Sequence, residues 1–119
     1  MGGPILETLE IARRIVEAVS EKQASDVMLL DTSQVCSFAD YFVVCSAESV
    51  RQVNAIAEDI DKLLKNLGSN SHRREGAADS GWVLIDDGSI IIHVFSPDTR
   101  EFYRFDSLWS QARILMKVQ

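Results

Sequence analysis

The chain has 119 residues, 46% of them hydrophobic, which suffices for one globular domain with its own core and leaves no room for a second. Its formal net charge of −6 argues against a nucleic-acid surface over the whole domain, because phosphate binding needs clustered Lys and Arg. No apolar run approaches the roughly 18 residues that a membrane span requires. We therefore expect residues 1–119 to form a single domain without a membrane span.

The first half of the chain alternates helix and strand signals. Residues 4–21 carry an apolar stripe at three- and four-residue steps, with Pro4 in the first turn, and predict a helix. Residues 26–31 and 41–46 are short apolar runs typical of buried strands, and the polar stretch 32–40 predicts a loop between them.

A second helix follows the second strand. Ser49 is placed to cap this helix, which runs to Leu67 before a stop at Gly68. A further strand is predicted over 71–75. Because a strand, a helix and a strand at this spacing favour a crossover connection, we expect part of the sheet to be parallel.

Residues 82–95 give the strongest local signal, two strand-like runs joined by Asp87-Gly88. An Asp-Gly pair in this setting predicts a two-residue type I′ turn. The expected cross-strand pairs are Asp86 with Ser89, Leu84 with Ile91, and Trp82 with His93. One face is then aliphatic and the other mixed; they consist of Val83, Ile85, Ile90, Ile92 and Val94, and of Trp82, Leu84, Asp86, Ile91, His93 and Phe95.

Two helices are predicted after the hairpin. Pro97 opens the first, over roughly 98–104. Asp106 or Ser107 caps the last, which carries Leu108, Trp109 and Ala112. The predicted architecture is an α/β domain with a mixed five-stranded sheet packed with helices.

Residues for catalysis, metal binding or cofactor binding do not converge in the sequence. It contains no phosphate-binding glycine loop and no nucleophile elbow. Asp86 and Asp87 are adjacent in a strand and would point to opposite faces. Of the two histidines, His93 is interpreted as a hydrogen-bonded packing residue and His72 as a solvated loop residue. We expect no metal, no cofactor and no enzymatic activity.

The cysteines bear on the cellular setting. Cys36 and Cys45 lack the spacing of a metal or redox pair, and Cys45 lies in an apolar run where a free Cys behaves as a small hydrophobe. The N-terminal segment has neither a signal-peptide nor a transit-peptide pattern. A reducing, cytoplasmic setting is expected.

An aromatic and charged cluster late in the chain is the remaining unusual feature, formed by Trp82, Tyr103 and Trp109 with Arg100, Asp86 and Asp106. Trp, Tyr and Arg are enriched among the residues that dominate binding energy at protein interfaces. The cluster is therefore a candidate partner-binding surface, although its spacing alone slightly favours the other interpretation. The alternative is an ordinary core with a polar rim.

A longer ordered set of residues runs through these elements. It comprises Ala39-Asp40-Tyr41-Phe42-Val43-Val44, Ser49 with Arg51-Gln52, Glu75-Gly76, Trp82, Leu84, Asp86, Gly88, His93, Phe95, Arg100, Phe102-Tyr103 and Leu108-Trp109. In this order the set resembles the ribosomal silencing factor family, also called the Iojap-like family. The resemblance extends over nearly the whole chain. Residues 46–48 (Ser-Ala-Glu) and 104–106 (Arg-Phe-Asp) depart from the usual family pattern.

The resemblance implies a fold distantly similar to nucleotidyltransferases but without their catalytic carboxylates. It also implies binding to the large ribosomal subunit through ribosomal protein L-fourteen, which blocks association with the small subunit and represses translation. No sequence-specific nucleic-acid binding is implied. Family members can be dimers, so a homodimer stays open. The partner-binding candidates are Trp82, Leu84, Asp86, His93, Arg100, Tyr103 and Trp109.

A function from another class remains as the alternative. It is a small nucleotidyltransferase-like enzyme or nucleotide-binding domain. The absence of paired carboxylates argues against this alternative, since phosphoryl-transfer sites with two metals need them.

Overall fold

A six-stranded mixed sheet lies at the centre of the computed structural model, which describes residues 7–69 and 71–118. The helices are α1 (Thr8–Glu21), α2 (Val50–Asn66), α3 (Pro97–Phe102) and α4 (Phe105–Leu108). The strands are β1 (Ser25–Asp31), β2 (Tyr41–Ser46), β3 (Arg73–Glu75), β4 (Trp82–Asp87), β5 (Ile90–Phe95) and β6 (Arg113–Val118). Their order across the sheet is β3-β4-β5-β2-β1-β6.

The predicted parallel pairing is confirmed between β2 and β5, and the other neighbouring strands are antiparallel. The second helix is also confirmed, because the Gln52 backbone N–H donates to the Ser49 side chain over 3.1 Å and caps α2. Residues 4–6 of the predicted first helix, including Pro4, lie outside the described residues.

Two cores lie on opposite faces of the sheet, since successive strand residues point to opposite sides. On one face, Val43 and Cys45 of β2 join the aliphatic face of the hairpin, and α1 and α2 cover them. On the other face, Phe42 and Val44 join a second core with Phe95 and with Phe105 of α4. The predicted aliphatic face is confirmed, because all five of its side chains are buried.

The predicted register of the hairpin is wrong by two residues. The structure pairs Trp82 with Phe95, Leu84 with His93, and Asp86 with Ile91. Asp87 ends β4 opposite Ile90, so the turn residues are Gly88-Ser89 rather than Asp87-Gly88. Gly88 has φ +72°, and Ser89 is not among the residues with positive φ, which is the pattern of type II′ and not of type I′. A shift of two residues preserves side-chain alternation, so both predicted faces survive.

The end of the chain differs from the prediction in kind. The expected final helix through Ala112 shrinks to the four residues of α4, and residues 113–118 form β6. β6 pairs with β1, which raises the strand count from five to six. The hydrogen bonds that β6 offers to the otherwise open edge of β1 outweigh the helical spacing of its apolar residues.

In the described ranges, no helix is both long and apolar enough to cross a membrane.

Gly88→Val should lower the free energy of unfolding by about 1–3 kcal/mol, since a β-branched residue resists a positive φ. A Cβ built on Gly88 meets nothing within 4 Å, so the loss would come from backbone strain alone. Urea unfolding measures it. Ser89→Ala, one residue further along the turn, is the matched control and should unfold like the wild type. Equal stability of Gly88→Val and the wild type would show that the turn assignment is wrong.

Candidate partner-binding surface

Aromatic rings from three strands and α4 meet on the second core. Phe42 of β2 lies 4.8 Å from His93 of β5, centroid to centroid, and Phe105 lies 4.7 Å from the same imidazole. Trp82 of β4 lies 4.9 Å from Phe95. The alternation of the hairpin brings Trp82 and His93 to this face, as the sequence predicted.

His93 is buried beneath these rings, and the Trp82 indole Nε1–H donates to its Nδ1 over 3.2 Å. The prediction of a hydrogen-bonded packing histidine is confirmed. Burial lowers the pKa of His93 to about 3, so the ring is neutral at pH 7. With Nδ1 accepting, the proton belongs on Nε2, which has no nitrogen or oxygen partner.

A cavity of about 270 Å³ opens above this floor. Besides Ile91, its lining has a buried floor of Phe42, His93 and Phe105, half-buried walls of Trp82, Leu84 and Trp109, and an exposed rim of Phe38, Tyr103 and Leu108. We call these nine residues the aromatic face. The rim is unusually open for apolar side chains, with Phe38 62%, Tyr103 55% and Leu108 71% exposed. Exposed apolar side chains grouped around one cavity are typical of interaction sites.

A second cavity of about 320 Å³ lies along the same surface, because it shares Trp82, Leu84 and Tyr103 with the first. Glu75 and Gly76 line its far side. Gly76 allows a close approach there, since a Cβ at this position would clash with the Trp82 carbonyl oxygen. The Glu75 carboxylate thus stands beside an apolar groove.

Arg100 is placed differently from the other candidates, because its guanidinium is buried and fully engaged. It donates to the Asp26 carbonyl oxygen over 2.8 Å, the Ser46 hydroxyl over 3.0 Å and Asp106 over 3.0 Å. These contacts join α3 to the ends of β1 and β2. Arg100 therefore fixes the position of α3. It thereby also positions Tyr103, the residue that directly follows α3.

Asp86 and Trp109 occupy intermediate positions. The Asp86 carboxylate accepts from the Gly88 backbone N–H over 2.9 Å, which gives it a role in the turn. Trp109 is half-buried and packs its ring against Phe42 at 4.8 Å. Of the seven candidates, the structure gathers Trp82, Leu84, His93, Tyr103 and Trp109 on the aromatic face and sets Asp86 and Arg100 apart.

Sequence reasoning missed four members of the aromatic face: Phe38, Phe42, Phe105 and Leu108. Phe38 carried a signal, because it is a large aromatic residue in an otherwise polar loop. Phe42 and Phe105 are buried and contribute through packing. The last helix was predicted to continue through Ala112, but in the structure α4 ends at Leu108, and Leu108 is exposed.

Metal binding and thiol chemistry find little support in the described ranges. There, no group of three or more His, Cys, Asp or Glu side chains could hold a metal ion. Both cysteines are free, and burial raises the pKa of Cys45 to about 12, against a smaller opposing effect of the Arg100 charge. Cys45 is therefore an inert core thiol.

Comparison with known proteins identifies relatives over almost the whole chain. The family model described as "Ribosomal silencing factor during starvation" matches residues 6–119. Ribosomal silencing factor RsfS of Halalkalibacterium halodurans is 37% identical over 103 residues, covering 87% of this chain and 88% of that protein. The crystal structure of protein CV0518 from Chromobacterium violaceum aligns with TM-score 0.83 and 33% identity, covering 88% of both chains.

A more distant relative carries a ribosomal name. "Mitochondrial assembly of ribosomal large subunit protein 1" of Mus musculus is 30% identical over 99 residues. The match covers 81% of this chain and 43% of the mouse protein.

His93→Gln should remove part of the acid sensitivity of the fold. Because His93 titrates near 6.5 when unfolded and at about 3 when folded, the unfolded state binds the extra proton and stability falls as pH drops below 6.5. Between about pH 7 and pH 5 the wild type should lose about 2 kcal/mol through this residue. Urea unfolding at both pH values measures it, and an equal loss in the variant would contradict the assignment.

Proposed function

The chain belongs to the ribosomal silencing factor family, and from this premise we propose that it represses translation at the ribosome. In the proposal it binds the large ribosomal subunit through ribosomal protein L-fourteen. A domain bound there blocks association with the small subunit. The name of the mouse relative, which refers to the large subunit, supports that choice of subunit.

The observation that carries the proposal is the aromatic face. Its rim exposes Phe38, Tyr103 and Leu108 around a cavity whose volume of about 270 Å³ can take an apolar side chain. Anchors of this type, packed in a desolvated pocket, dominate the binding energy of protein interfaces. The net charge of −6 and the Glu75 carboxylate beside the groove favour a basic protein as the partner.

The candidates then divide by role. Trp82, Leu84 and Tyr103 are the proposed contacts, together with Phe38 and Leu108. His93 supports Trp82 by accepting its indole N–H, and Trp109 packs against the buried Phe42. Arg100 acts by holding α3, and the Asp86 charge bears mainly on the rate of association and its salt dependence.

The proposal is of a binding protein and not an enzyme. The alternative, a nucleotidyltransferase-like domain, gains no support from the described residues, where no carboxylates converge on a metal position. A cytoplasmic location belongs to the proposal and fits two free cysteines. A homodimer that buried the aromatic face would compete with the ribosome for this surface.

The full chain should pellet with isolated large ribosomal subunits and not with small ones, and it should lower the yield of joined ribosomes. Sedimentation through a sucrose cushion measures both. Equal pelleting with both subunits, or with neither, would contradict the proposed function.

Tyr103→Ala and Leu108→Ala should each weaken binding to the large subunit by about tenfold or more, the range for anchor residues. The matched control is Ile114→Ala on β6, because Ile114 is 54% exposed and lies outside the aromatic face. All three variants should melt near the wild type, since exposed changes usually stay within about 0.5 kcal/mol. If only Ile114→Ala weakened binding to the large subunit, the aromatic face would not be the contact surface.

A further inference from the structure

A hydrogen-bonded chain of four side chains lies away from the aromatic face and joins α2, the segment before β3, and β4. His72 Nε2 lies 3.0 Å from Asp61 Oδ1 of α2, and His72 Nδ1 lies 3.3 Å from Ser69 Oγ. Ser69 Oγ in turn donates to Asp87 Oδ1 of β4 over 2.6 Å. The His72 side chain is only 8% exposed, so the prediction of a solvated loop histidine is wrong.

Counting hydrogen atoms along this chain shows which form of the imidazole can make both contacts as hydrogen bonds. A carboxylate only accepts hydrogen bonds, and a serine hydroxyl has a single hydrogen. The Ser69 hydrogen is directed to Asp87, so Ser69 can only accept from His72, and Asp61 can also only accept. Both contacts can be hydrogen bonds only if both ring nitrogens donate, which requires the imidazolium form.

We propose that Asp61, His72, Ser69 and Asp87 form a proton-dependent clasp, which fastens Ser69 and His72 to α2 and β4 when His72 is doubly protonated and loosens when it loses a proton. This inference goes beyond the proposed function and does not depend on it. A neutral imidazole has one N–H. At one of its two contacts, two hydrogen-bond acceptors would therefore meet with no hydrogen between them.

The charges that face His72 come from each neighbouring element. Asp61 of α2 lies directly against it, and Asp87 of β4 acts through Ser69. Lys65 of α2 and Arg74 of β3 line the same cavity and oppose the imidazolium. Arg74 is engaged with Asn54, to whose side-chain oxygen it donates over 2.9 Å.

The clasp matters most for β3. This edge strand has three residues, all exposed, and pairs with β4 alone. Glu75 and Gly76 at its end line the cavity beside Trp82. Loosening of the clasp should therefore increase the opening of β3 and of this wall, on the local-unfolding scale that hydrogen exchange detects.

Nuclear magnetic resonance of the full chain tests the proton count directly. At about pH 5.5, both ring nitrogens of His72 should carry hydrogen, whereas His93 in the same spectrum should carry one. This comparison needs no variant. A His72 ring with a single N–H at this pH would overturn the proposal.

Hydrogen exchange tests the consequence. His72→Gln should increase the opening of the β3 amides, measured by hydrogen exchange, relative to the wild type. The ratio of variant opening to wild-type opening should be roughly fivefold larger at about pH 5.5 than at about pH 8. Asp61→Asn should abolish the pH dependence that the opening of the β3 amides shows in the wild type. Asp59→Asn is the matched control on the same helix, since Asp59 pairs with Lys22, and it should keep the wild-type dependence.

Two results would count against the clasp in this experiment. One is an equal effect of His72→Gln at both pH values. The other is a wild-type pH dependence that survives Asp61→Asn.

Discussion

The parallel pairing of β2 with β5 is the constraint on which the rest of the structure depends. These two strands occupy the middle of the sheet, and all twelve of their residues except Tyr41 are buried. Because alternate side chains point to opposite sides, one pair of strands supplies both cores. The α1 and α2 helices cover the aliphatic side, and α4 with its flanking loops covers the other. The aromatic face is thus the incompletely covered part of a second core.

Arg100 links this core to the surface above it. From α3, its guanidinium donates to groups at the ends of β1 and β2. It also donates to the carboxylate of Asp106 in α4. The planar fork of arginine directs five N–H donors from three nitrogens to separate acceptors, whereas a lysine has three donors on one nitrogen. Tyr103 projects from the short connection between α3 and α4, so its position depends on a buried charge rather than on apolar packing alone.

The sequence predicts on which face of the sheet each strand side chain lies. It does not predict which residues or strands pair with each other. Alternation has a period of two, so Trp82 and His93 fall on one side whichever two residues form the turn. The choice between Asp87-Gly88 and Gly88-Ser89 depends on the register across the whole sheet. Likewise β6 forms only because β1 presents an open edge, which no local pattern reveals. The candidate site was predicted in part for the same reason: Phe38 reaches it through a loop whose path the sequence does not define.

The two outer strands also bear on how copies of the chain meet one another. An outer strand exposes unpaired backbone groups that invite sheet extension and aggregation. Here both outer strands carry cations, Arg73 and Arg74 on β3 and Arg113 and Lys117 on β6, although the chain as a whole is acidic. Charged side chains on an edge strand hinder its pairing with a strand of another molecule. Both edges of the sheet therefore carry charges that hinder its extension from one molecule to the next.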